Sequence, residues 1–359
     1  MTTTWRQDLP TDYEMLILVG DVGGTNTNLG LACKTKNSIL LLAEVVFESS
    51  EVDDFTLVVK KAMNFFHQKH PNLSVQYCCI SGAGPVQNNF CQMTNQTWAI
   101  DGSEIEKYLE VKTLIINDFT AISYGLPLLN VNDENQILTM NRPDNSNPQG
   151  EGTMRAVIGA GTGLGVGFLT QVGQRWIAFP SEGGHMDFAG FDEESEGVKK
   201  NIQNTIDIVP EYEFFISGMG IKNIYYWIWD EALLDKEDPV IKEIMSVGDL
   251  EKPPLISKYS KAHPVCKRVM RIFVRMYARF AASVCCLLLP RAGLYLAGGI
   301  AGKNWEVFTE ENLFVNTFEQ HCNPNIYKIL KKIPIYIVKD YSISLYGAAN
   351  AALSLMDLQ

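Results

Sequence analysis

The chain has 359 residues, 46% of them hydrophobic and 20% charged, which is typical of a globular enzyme and long enough to favour two lobes over one core. Its 30 basic and 41 acidic residues give a net charge of −11 without any basic tract, which argues against a nucleic-acid or anionic-membrane surface. The expected partners are small molecules, including phosphate ligands held by local N–H groups or a metal.

The cysteine pattern and the chain ends predict a protein of a reducing compartment. The eight cysteines show no CxxC or CxxxxC spacing and lie mostly in apolar runs, so we expect reduced, buried thiols rather than a zinc site or disulfides. Residues 1–12 lack an apolar signal core, and the apolar segment 280–299 carries Pro290 and Arg291 at its middle, which predicts a helix end and a strand rather than a membrane span. The last three residues do not match the peroxisomal tripeptide, so the expected location is the cytoplasm.

The first glycine-rich turn follows the apolar run 16–19 and precedes further apolar residues, which predicts strand, turn and strand. Adjacent glycines let the backbone adopt positive φ and approach an anion, and the N–H groups of such a turn can form an anion-binding nest. Asp21 would be repelled by a bound phosphate unless a cation lay between them, which points to Mg²⁺ held directly or through water. A plain hairpin turn, in which Asp21 accepts local N–H bonds, fits this stretch equally well.

Strands and helices alternate from residue 39 to residue 118. Residues 39–47 and 75–80 have strand patterns, and Asp53-Asp54 precede a helical pattern with one broad apolar face. A helix over 103–109 is predicted to begin with Ser103 and Glu106 in capping-box spacing, and a strand over 113–116 follows it. This alternation predicts a mixed α/β lobe.

Asn117 and Asp118 come directly after that strand, at the carboxyl edge where open α/β sheets bind ligands. There, Asp118 could accept a proton from a substrate hydroxyl while Asn117 fixes a neighbouring hydroxyl. Taken alone, the pair fits an Asp N-cap for the segment from Thr120 onward better than it fits a catalytic group.

The second half of the chain begins after an Asn-, Pro- and Gly-rich stretch at 139–153, which is predicted to be a surface loop or an inter-lobe excursion. An acidic stretch over 187–196 is expected to cap and begin a helix. Arginines 268, 271, 275 and 279 recur at helical spacing, which is typical of a solvated face, so we assign them no function. Strands are predicted over 156–160, 294–297 and 335–338, and helices over 221–234, 264–289 and 344–356.

Three glycine turns, at 20–25, 159–165 and 298–299, each follow an apolar strand. One such turn is weak evidence, but three of them, spread over both halves of the chain, are what a nucleotide held between two lobes would require. Neither GxxxxGK[ST] nor GxGxxG occurs, so neither a P-loop nor a dinucleotide-binding fold is supported.

A further polar cluster lies at residues 181–185, on a loop with two glycines. Glu182 and His185 can reach one ligand there, and both can hydrogen-bond sugar hydroxyls without unusual ionisation. The alternative is a surface turn with a solvated glutamate. Zinc is disfavoured because no cysteine lies near His185. Farther along, Glu213 carries no signal by itself.

Six motifs, taken in order, resemble those of the bacterial-type glucokinase family, which also occurs in protists: GDVGGTN at 20–26, MTNQTW at 93–98, INDFTA at 116–121, GAGTGLG at 159–165, EGGHMDF at 182–188 and LAGGI at 296–300. The resemblance extends from about residue 16 to about residue 352. It implies the ribonuclease H-like fold shared by sugar kinases, actin and the Hsp70 ATPase, with two α/β lobes and a central cleft for ATP and substrate. Residues 1–127 plus 340–359 would form the small α/β lobe, and 128–339 the large α+β lobe.

The resemblance also implies a reaction and its residues. The reaction would be phosphoryl transfer from Mg·ATP to the 6-hydroxyl of glucose, which is the first step of glycolysis. Asp118 would be the base, and Asp21 would be the partner of Mg²⁺, directly or through water. The enzyme would be a homodimer. The glucose ligands would be Asn117, Asp118, Glu182, His185 and Glu213. The ATP contacts would be Gly20, Asp21, Val22, Gly23, Gly24, Thr25, Gly161, Thr162, Gly163, Gly298 and Gly299.

Two alternatives stay open. One is a kinase that acts on mannose, fructose or glucosamine, or that uses ADP or polyphosphate as donor. The other is a non-catalytic sugar sensor, which would not need a carboxylate beside the transferred phosphate, whereas Asp118 is present. The related kinases with a cysteine-rich zinc motif after the EGGH element are excluded, because residues 186–197 contain no cysteine.

Overall fold

The computed structural model describes residues 1–94, 96–173, 175–230 and 235–355, which form two compact units. The first unit comprises residues 1–130, 167–180 and those from 340 onward, and the second unit comprises 131–166 and 181–339. Some predicted features lie outside the described residues: Asn95 of the MTNQTW motif, residues 231–234 of one predicted helix, residue 356 of the last helix and the C-terminal tripeptide.

The strands and helices follow in chain order. Up to residue 130 they are β1 (Thr2–Trp5), β2 (Met15–Val22), β3 (Asn26–Lys34), β4 (Ile39–Glu48), α1 (Phe55–Lys69), β5 (Tyr77–Gly82), β6 (Val86–Gln87), β7 (Phe90–Gln92), β8 (Ala99–Asp101), α2 (Gly102–Leu109), β9 (Thr113–Asn117) and α3 (Asp118–Gly125). The remainder are β10 (Ile137–Thr139), β11 (Arg155–Ala160), β12 (Leu164–Val172), β13 (Arg175–Phe179), α4 (Glu193–Gln203), α5 (Gly218–Asp230), α6 (Pro239–Ser246), α7 (Lys252–Tyr259), α8 (Pro264–Leu288), β14 (Gly293–Ala297), α9 (Gly299–Lys303), α10 (Trp305–Thr309), α11 (Leu313–Glu319), α12 (Pro324–Leu330), β15 (Ile335–Val338) and α13 (Ile343–Leu355).

The main sheet of the first unit has the strand order β1-β4-β3-β2-β5-β9, in which β2, β5 and β9 are parallel. Residues 15–19 of β2 are all apolar, as expected for a strand with both faces covered. Leu16 and Leu18 join the core that contains α1, whereas Ile17 and Val19 join the core that contains α13. The carboxyl ends of the three parallel strands therefore meet at one edge of a sheet that is buried on both faces.

Helix α13 packs unusually closely on α3. A Cβ atom on Gly347 would lie 1.8 Å from the carbonyl oxygen of Ala121, so only glycine allows this approach. The packing places the first turn of α13 beside the strand ends that carry the polar residues of this unit.

In the second unit, β11, β14 and β15 are parallel, and β10 is antiparallel to β15. The long helix α8 packs on this sheet. Its Tyr277 hydroxyl donates to the carbonyl of Ile158 at 2.8 Å, and the Tyr277 ring makes edge-to-face contacts with Phe308 and Phe314. The carboxyl ends of β11 and β14 carry the second and third glycine turns.

Strand β12 begins in the second unit and ends in the first, where it forms an antiparallel hairpin with β13. Trp176 and Ala178 of β13 pack against the core that contains α13, which explains why residues 167–180 belong to the first unit. No sequence signal marked a boundary at either end of this hairpin.

The stretch 139–153 was expected to be a surface loop, but one of its side chains is a buried anchor. Arg142 is 1% exposed, and its Nε donates to Glu319 Oε1 at 2.7 Å while Nη2 donates to the carbonyl of Ile333 at 2.7 Å. The charge of Glu319 and these hydrogen bonds offset the cost of removing the guanidinium from water. They also fix the loop to other elements of the second unit.

Several local predictions are confirmed. The strands over 39–47, 294–297 and 335–338 correspond to β4, β14 and β15, and Asp192 caps α4 as the acidic stretch indicated. All eight cysteines are free thiols, and six of them are buried. The segment 280–299 divides into the end of α8 and β14, and none of the described helices combines the length and apolarity needed to cross a bilayer.

The capping box predicted at Ser103 and Glu106 is wrong. Asp101 caps α2 by accepting from Ser103 N at 2.8 Å, and the Glu106 carboxylate instead accepts the Thr113 N–H at 3.1 Å. The arginine stripe of α8 is partly solvated, as expected, but it is also paired. Arg268 and Arg275 both contact Glu194 of α4.

Candidate active site

Asp118 is the first residue of α3, at the carboxyl end of β9. The helix cap is Asn117, whose Oδ1 accepts from Phe119 N at 2.9 Å and Thr120 N at 3.4 Å, while its Nδ2 donates to the carbonyl of Gly84 at 3.3 Å. The capping role foreseen for Asp118 therefore belongs to Asn117. The Asp118 carboxylate instead accepts from Phe119 N, which lies 2.9 Å from its Oδ1.

Burial raises the pKa of Asp118 to about 6 from its usual 3.8, and the negative charge of Asp21 adds to the rise. The Phe119 N–H and the Asn117 side chain oppose it by hydrogen-bonding the carboxylate. A carboxyl group with this pKa is ionised at neutral pH, and its pKa is close enough to neutral pH for it to take up and release a proton. A general base needs both properties.

Asp21 lies in β2, paired in register with Ser81 of β5. Its Oδ2 accepts from Ser344 Oγ at 2.7 Å, and its Oδ1 accepts from Ser81 Oγ at 3.4 Å. Burial raises the pKa of Asp21 against the effect of both hydroxyls. The first unit thus brings two carboxylates, Asp21 and Asp118, to the same sheet edge, where the charge of Asp21 disfavours ionisation of Asp118.

The first glycine turn is shorter than the sequence indicated, because β2 continues through Gly20 and Asp21 to Val22. Neither Gly23 nor Gly24 has positive φ, so this turn does not use the conformational freedom that adjacent glycines allow. A Cβ on Gly20 would lie 2.7 Å from Ile80 Cδ1, so any other residue there would require the Ile80 side chain to shift. The Gly23 N–H donates to the Asn26 carbonyl at 2.9 Å, and Gly24 and Thr25, which follow it, are exposed.

The second glycine turn joins β11 to β12 and is held by Glu213. Gly161 N donates to the Gly163 carbonyl at 2.9 Å, and Leu164 N donates to Glu213 Oε2 at 2.8 Å. A Cβ on Gly163 would lie 2.6 Å from that same oxygen. Glu213 had no signal of its own in the sequence, but it is a predicted sugar ligand that hydrogen-bonds the predicted phosphate turn. Thr162 is exposed at the tip of this turn.

The third turn follows β14. Gly298 has a φ of +85° and precedes α9, which begins at Gly299. A Cβ on Gly298 would lie 2.5 Å from the carbonyl oxygen of Ala160, so glycine is needed here for both conformation and space. The second and third turns are thus neighbours at the carboxyl ends of parallel strands.

Glu182 precedes a 3₁₀ turn, Gly183–His185, whose last residue is His185. This turn packs against the second glycine turn, because a Cβ on Gly184 would lie 1.9 Å from the Leu164 carbonyl oxygen. The Glu182 side chain is 82% exposed, and its Oε2 lies 3.9 Å from His185 Nε2. His185 Nδ1 lies 2.9 Å from Glu211 Oε1. One polar atom each of His185, Glu211 and Glu213 falls within 4.8 Å of the others, close enough to share one hydroxylated ligand.

Sequence reasoning missed three polar residues of these sites. Ser81 and Ser344 orient Asp21, and Glu211 bonds His185. Glu211 stands two positions before Glu213, and that acidic spacing was the one signal that could have drawn attention to it. The serines had none, because only the packing of α13 and the register of β5 bring them to Asp21.

Comparison with known proteins identifies the relatives of this arrangement. A family model described as Glucokinase matches residues 18–355. A glucokinase from Nostoc sp. strain PCC 7120 is 33% identical over 353 residues, which cover 95% of this chain and 99% of the relative.

Solved structures match the fold. A glucokinase from an Antarctic psychrotroph aligns with a TM-score of 0.77 at 24% identity, over 94% of this chain and 98% of the other. A Balamuthia mandrillaris glucokinase in complex with glucose aligns at 0.72 and 23%, over 94% of each chain. A ROK family glucokinase from Streptomyces griseus in complex with glucose and AMPPNP aligns at 0.61 and 15%, over 93% of this chain and 98% of the other. The expected actin-like ATPase fold is confirmed.

Proposed function

This chain belongs to the glucokinase family, and we propose that it transfers the γ-phosphoryl group of ATP to the 6-hydroxyl of glucose. The observation that carries the mechanism is the half-buried Asp118 carboxylate at the start of α3, with its pKa near 6. Phosphoryl transfer has a loose transition state, so the protein's main tasks are to position the reactants and to compensate charge.

In this proposal, Asp118 is the catalytic base. Its carboxylate orients the 6-hydroxyl and takes up the hydroxyl proton as the hydroxyl oxygen attacks the γ-phosphorus and ADP departs. The proton released by the hydroxyl thus resides on a group whose burial already favours the neutral acid. Asn117 supports this geometry by capping α3 and by hydrogen-bonding the Asp118 carboxylate.

The residues of the first unit fit Mg²⁺. Asp21 and Asp118 form an oxygen-only donor set of the kind that this ion prefers, and the Asp21 carboxylate is oriented by the hydroxyls of Ser81 and Ser344. Asp21 would hold Mg²⁺ directly or through water. When bound, the ion would offset the negative charge of the transferred phosphoryl group.

The remaining residues are proposed as ligands on the strength of the family motifs and their placement. The proposed glucose ligands are Asn117, Asp118, Glu182, His185 and Glu213. Backbone N–H groups of the glycine turns would hold the phosphates of ATP. The proposed ATP contacts remain Gly20, Asp21, Val22, Gly23, Gly24, Thr25, Gly161, Thr162, Gly163, Gly298 and Gly299.

The place of the reaction is also a proposal. A glucose 6-phosphate-forming enzyme would catalyse the first step of glycolysis, and we expect it to act in the cytoplasm as a homodimer.

A coupled assay across glucose, mannose, fructose and glucosamine, with ATP, ADP and polyphosphate as donors, tests the proposal. Glucose with ATP should give the highest kcat/KM. Glu182→Ala should raise the KM for glucose and leave the KM for ATP unchanged, because the side chain is assigned to the sugar alone. Glucose binding by calorimetry without turnover on any hexose would favour a sugar sensor instead.

A further inference from the structure

We propose that Glu211 is a positioning residue that holds His185 Nδ1–H and thereby leaves Nε2 free for a sugar hydroxyl. The inference rests on the proposed function, which places His185 among the glucose ligands. The inference goes beyond the proposed function because none of the six family motifs in the sequence includes Glu211.

The contact is short and direct. His185 Nδ1 and Glu211 Oε1 are 2.9 Å apart, and the Glu211 side chain is 27% exposed compared with 48% for the imidazole. The better-buried partner is therefore the carboxylate, while the ring presents its other edge to solvent. A hydrogen bond to a carboxylate places the proton of a neutral imidazole on the bonded nitrogen, which selects the Nδ1–H tautomer.

The backbone sets this distance. Residues 186–188 and 210–212 form a short antiparallel pairing, in which Tyr212 N donates to the Met186 carbonyl at 2.9 Å and Phe188 N donates to the Pro210 carbonyl at 3.0 Å. Asp187 and Glu211 form the β-bridge between these bonds. Glu211 is thus paired with Asp187, two residues after His185, and this pairing places its carboxylate within reach of the imidazole.

The other carboxylates near the ring are less suited to this task. Glu213 already accepts the Leu164 N–H at 2.8 Å, and Glu182 Oε2 stands 3.9 Å from Nε2, on the side left for the sugar. The hydrogen bond to Glu211 raises the pKa of His185 most strongly, and the charges of Glu213 and Glu182 add to it. In both protonation states Nδ1 stays with Glu211, and Nε2 accepts from a hydroxyl when neutral or donates to one when charged.

The test compares Glu211→Ala with Glu211→Gln. The glutamine keeps an oxygen acceptor for Nδ1–H but no charge, and the alanine removes both. Glu237→Ala, which removes an exposed carboxylate paired with Lys242, is the control for charge. We expect Glu211→Ala to raise the KM for glucose about tenfold or more with little change in kcat, the pattern of lost uniform binding. Glu211→Gln should recover most of that affinity, and Glu237→Ala should match the parent.

A second readout needs no turnover. In the sugar-free protein at alkaline pH, nitrogen NMR of the imidazole, assigned with His185→Gln, should show the Nδ1–H tautomer in the parent and in Glu211→Gln, and a shift toward Nε2–H in Glu211→Ala. Both Glu211 variants should lower the pKa of His185. An unchanged tautomer and an unchanged KM in Glu211→Ala would overturn the proposal. If the parent shows the predicted tautomer but phosphorylates no glucose, the proposed function fails while the role of Glu211 stands.

Discussion

Ser344 Oγ donates a hydrogen bond to Asp21 Oδ2 at 2.7 Å, although the two residues are 323 positions apart in the chain. Ser344 is 4% exposed and lies in the first turn of α13, so the last helix of the described chain fixes a carboxylate on the second strand. With Ser81 near the other oxygen, the Asp21 carboxylate is held in one orientation at the sheet edge.

Ser344→Ala should therefore raise the Mg²⁺ concentration needed for half-maximal rate. Loss of one buried hydrogen bond to a charged group is expected to weaken the site by about tenfold, because the carboxylate can rotate and is left partly unsatisfied. The measurement is initial rate against free Mg²⁺ at saturating ATP and glucose. Ser283→Ala, at an exposed position of α8, is the control, and an identical Mg²⁺ dependence in both variants would contradict the role of Ser344.

Asp118→Asn should reduce kcat by about 10²- to 10⁴-fold, the range expected when a general base is lost. The amide has nearly the same shape, so glucose affinity measured by calorimetry should change little. Asp53→Asn, at an exposed position before α1, is the matched control and should retain full turnover. A kcat within a few fold of the parent would show that another group accepts the proton.

The raised pKa of Asp118 also predicts a pH-dependent stability difference. Below about pH 4 the carboxyl is protonated in both folded and unfolded chains. Between its usual pKa of 3.8 and its folded value of about 6, only the unfolded chain loses the proton, so stability falls as pH rises. The full loss at pH 7 is on the order of 3 kcal/mol.

Asp118→Asn removes this penalty. Relative to the parent, the variant should gain melting temperature steadily from pH 4 to pH 7 in Mg²⁺-free buffer, while losing activity. Equal melting temperatures of parent and variant at pH 7 would mean that the carboxyl is not destabilised by burial.

Gly184→Ala should damage the sugar-binding loop. The added Cβ would lie 1.9 Å from the Leu164 carbonyl oxygen, a backbone atom that cannot move without shifting the second glycine turn. We expect a loss of about 3 kcal/mol or more in stability and a higher KM for glucose in whatever protein still folds. For stability, Gly161→Ala is the control, because a Cβ there would have nothing within 4 Å. Equal melting temperatures for the two variants would rule out the close contact.

Glu319→Ala should destabilise the protein by about 3–5 kcal/mol, because it leaves the guanidinium of Arg142 buried without its counter-charge. The Arg142 side chain is 1% exposed and that of Glu319 is 9% exposed. Glu151→Ala removes a carboxylate from the exposed pair with Arg291, and it should leave the urea midpoint unchanged. Similar midpoints for the two variants would mean that the buried pair contributes no more than the exposed one.

Local pattern was enough to predict much of this protein. Apolar runs located β4, β14 and β15, the acidic stretch before α4 located its cap, and the ordered motifs identified the family before any fold was seen. These features depend on neighbours within a few positions, where side-chain periodicity and capping chemistry are determined by the sequence itself.

The roles of individual glycines needed the tertiary structure. Adjacent glycines permit positive φ, but Gly23 and Gly24 do not adopt it. Gly184 and Gly347 are instead required by backbone atoms of other elements, which approach within 2 Å of where a Cβ would be. Such approaches depend on which elements pack together, and a sequence contains no local signal for them. The same applies to the failed capping box, where Glu106 bonds Thr113 across the end of α2 instead.

The electrostatics of the candidate active site were decided in the same way. The sequence by itself determined that Asp21, Asp118, Glu182 and His185 are present and follow glycine turns or strand ends. Only the folded chain decided that Ser344 orients Asp21, that Asn117 rather than Asp118 caps α3, and that Glu211 bonds His185. Hydrogen bonds and pKa values depend on burial and on distances of a few ångströms, and chain connectivity does not fix those for residues far apart in sequence.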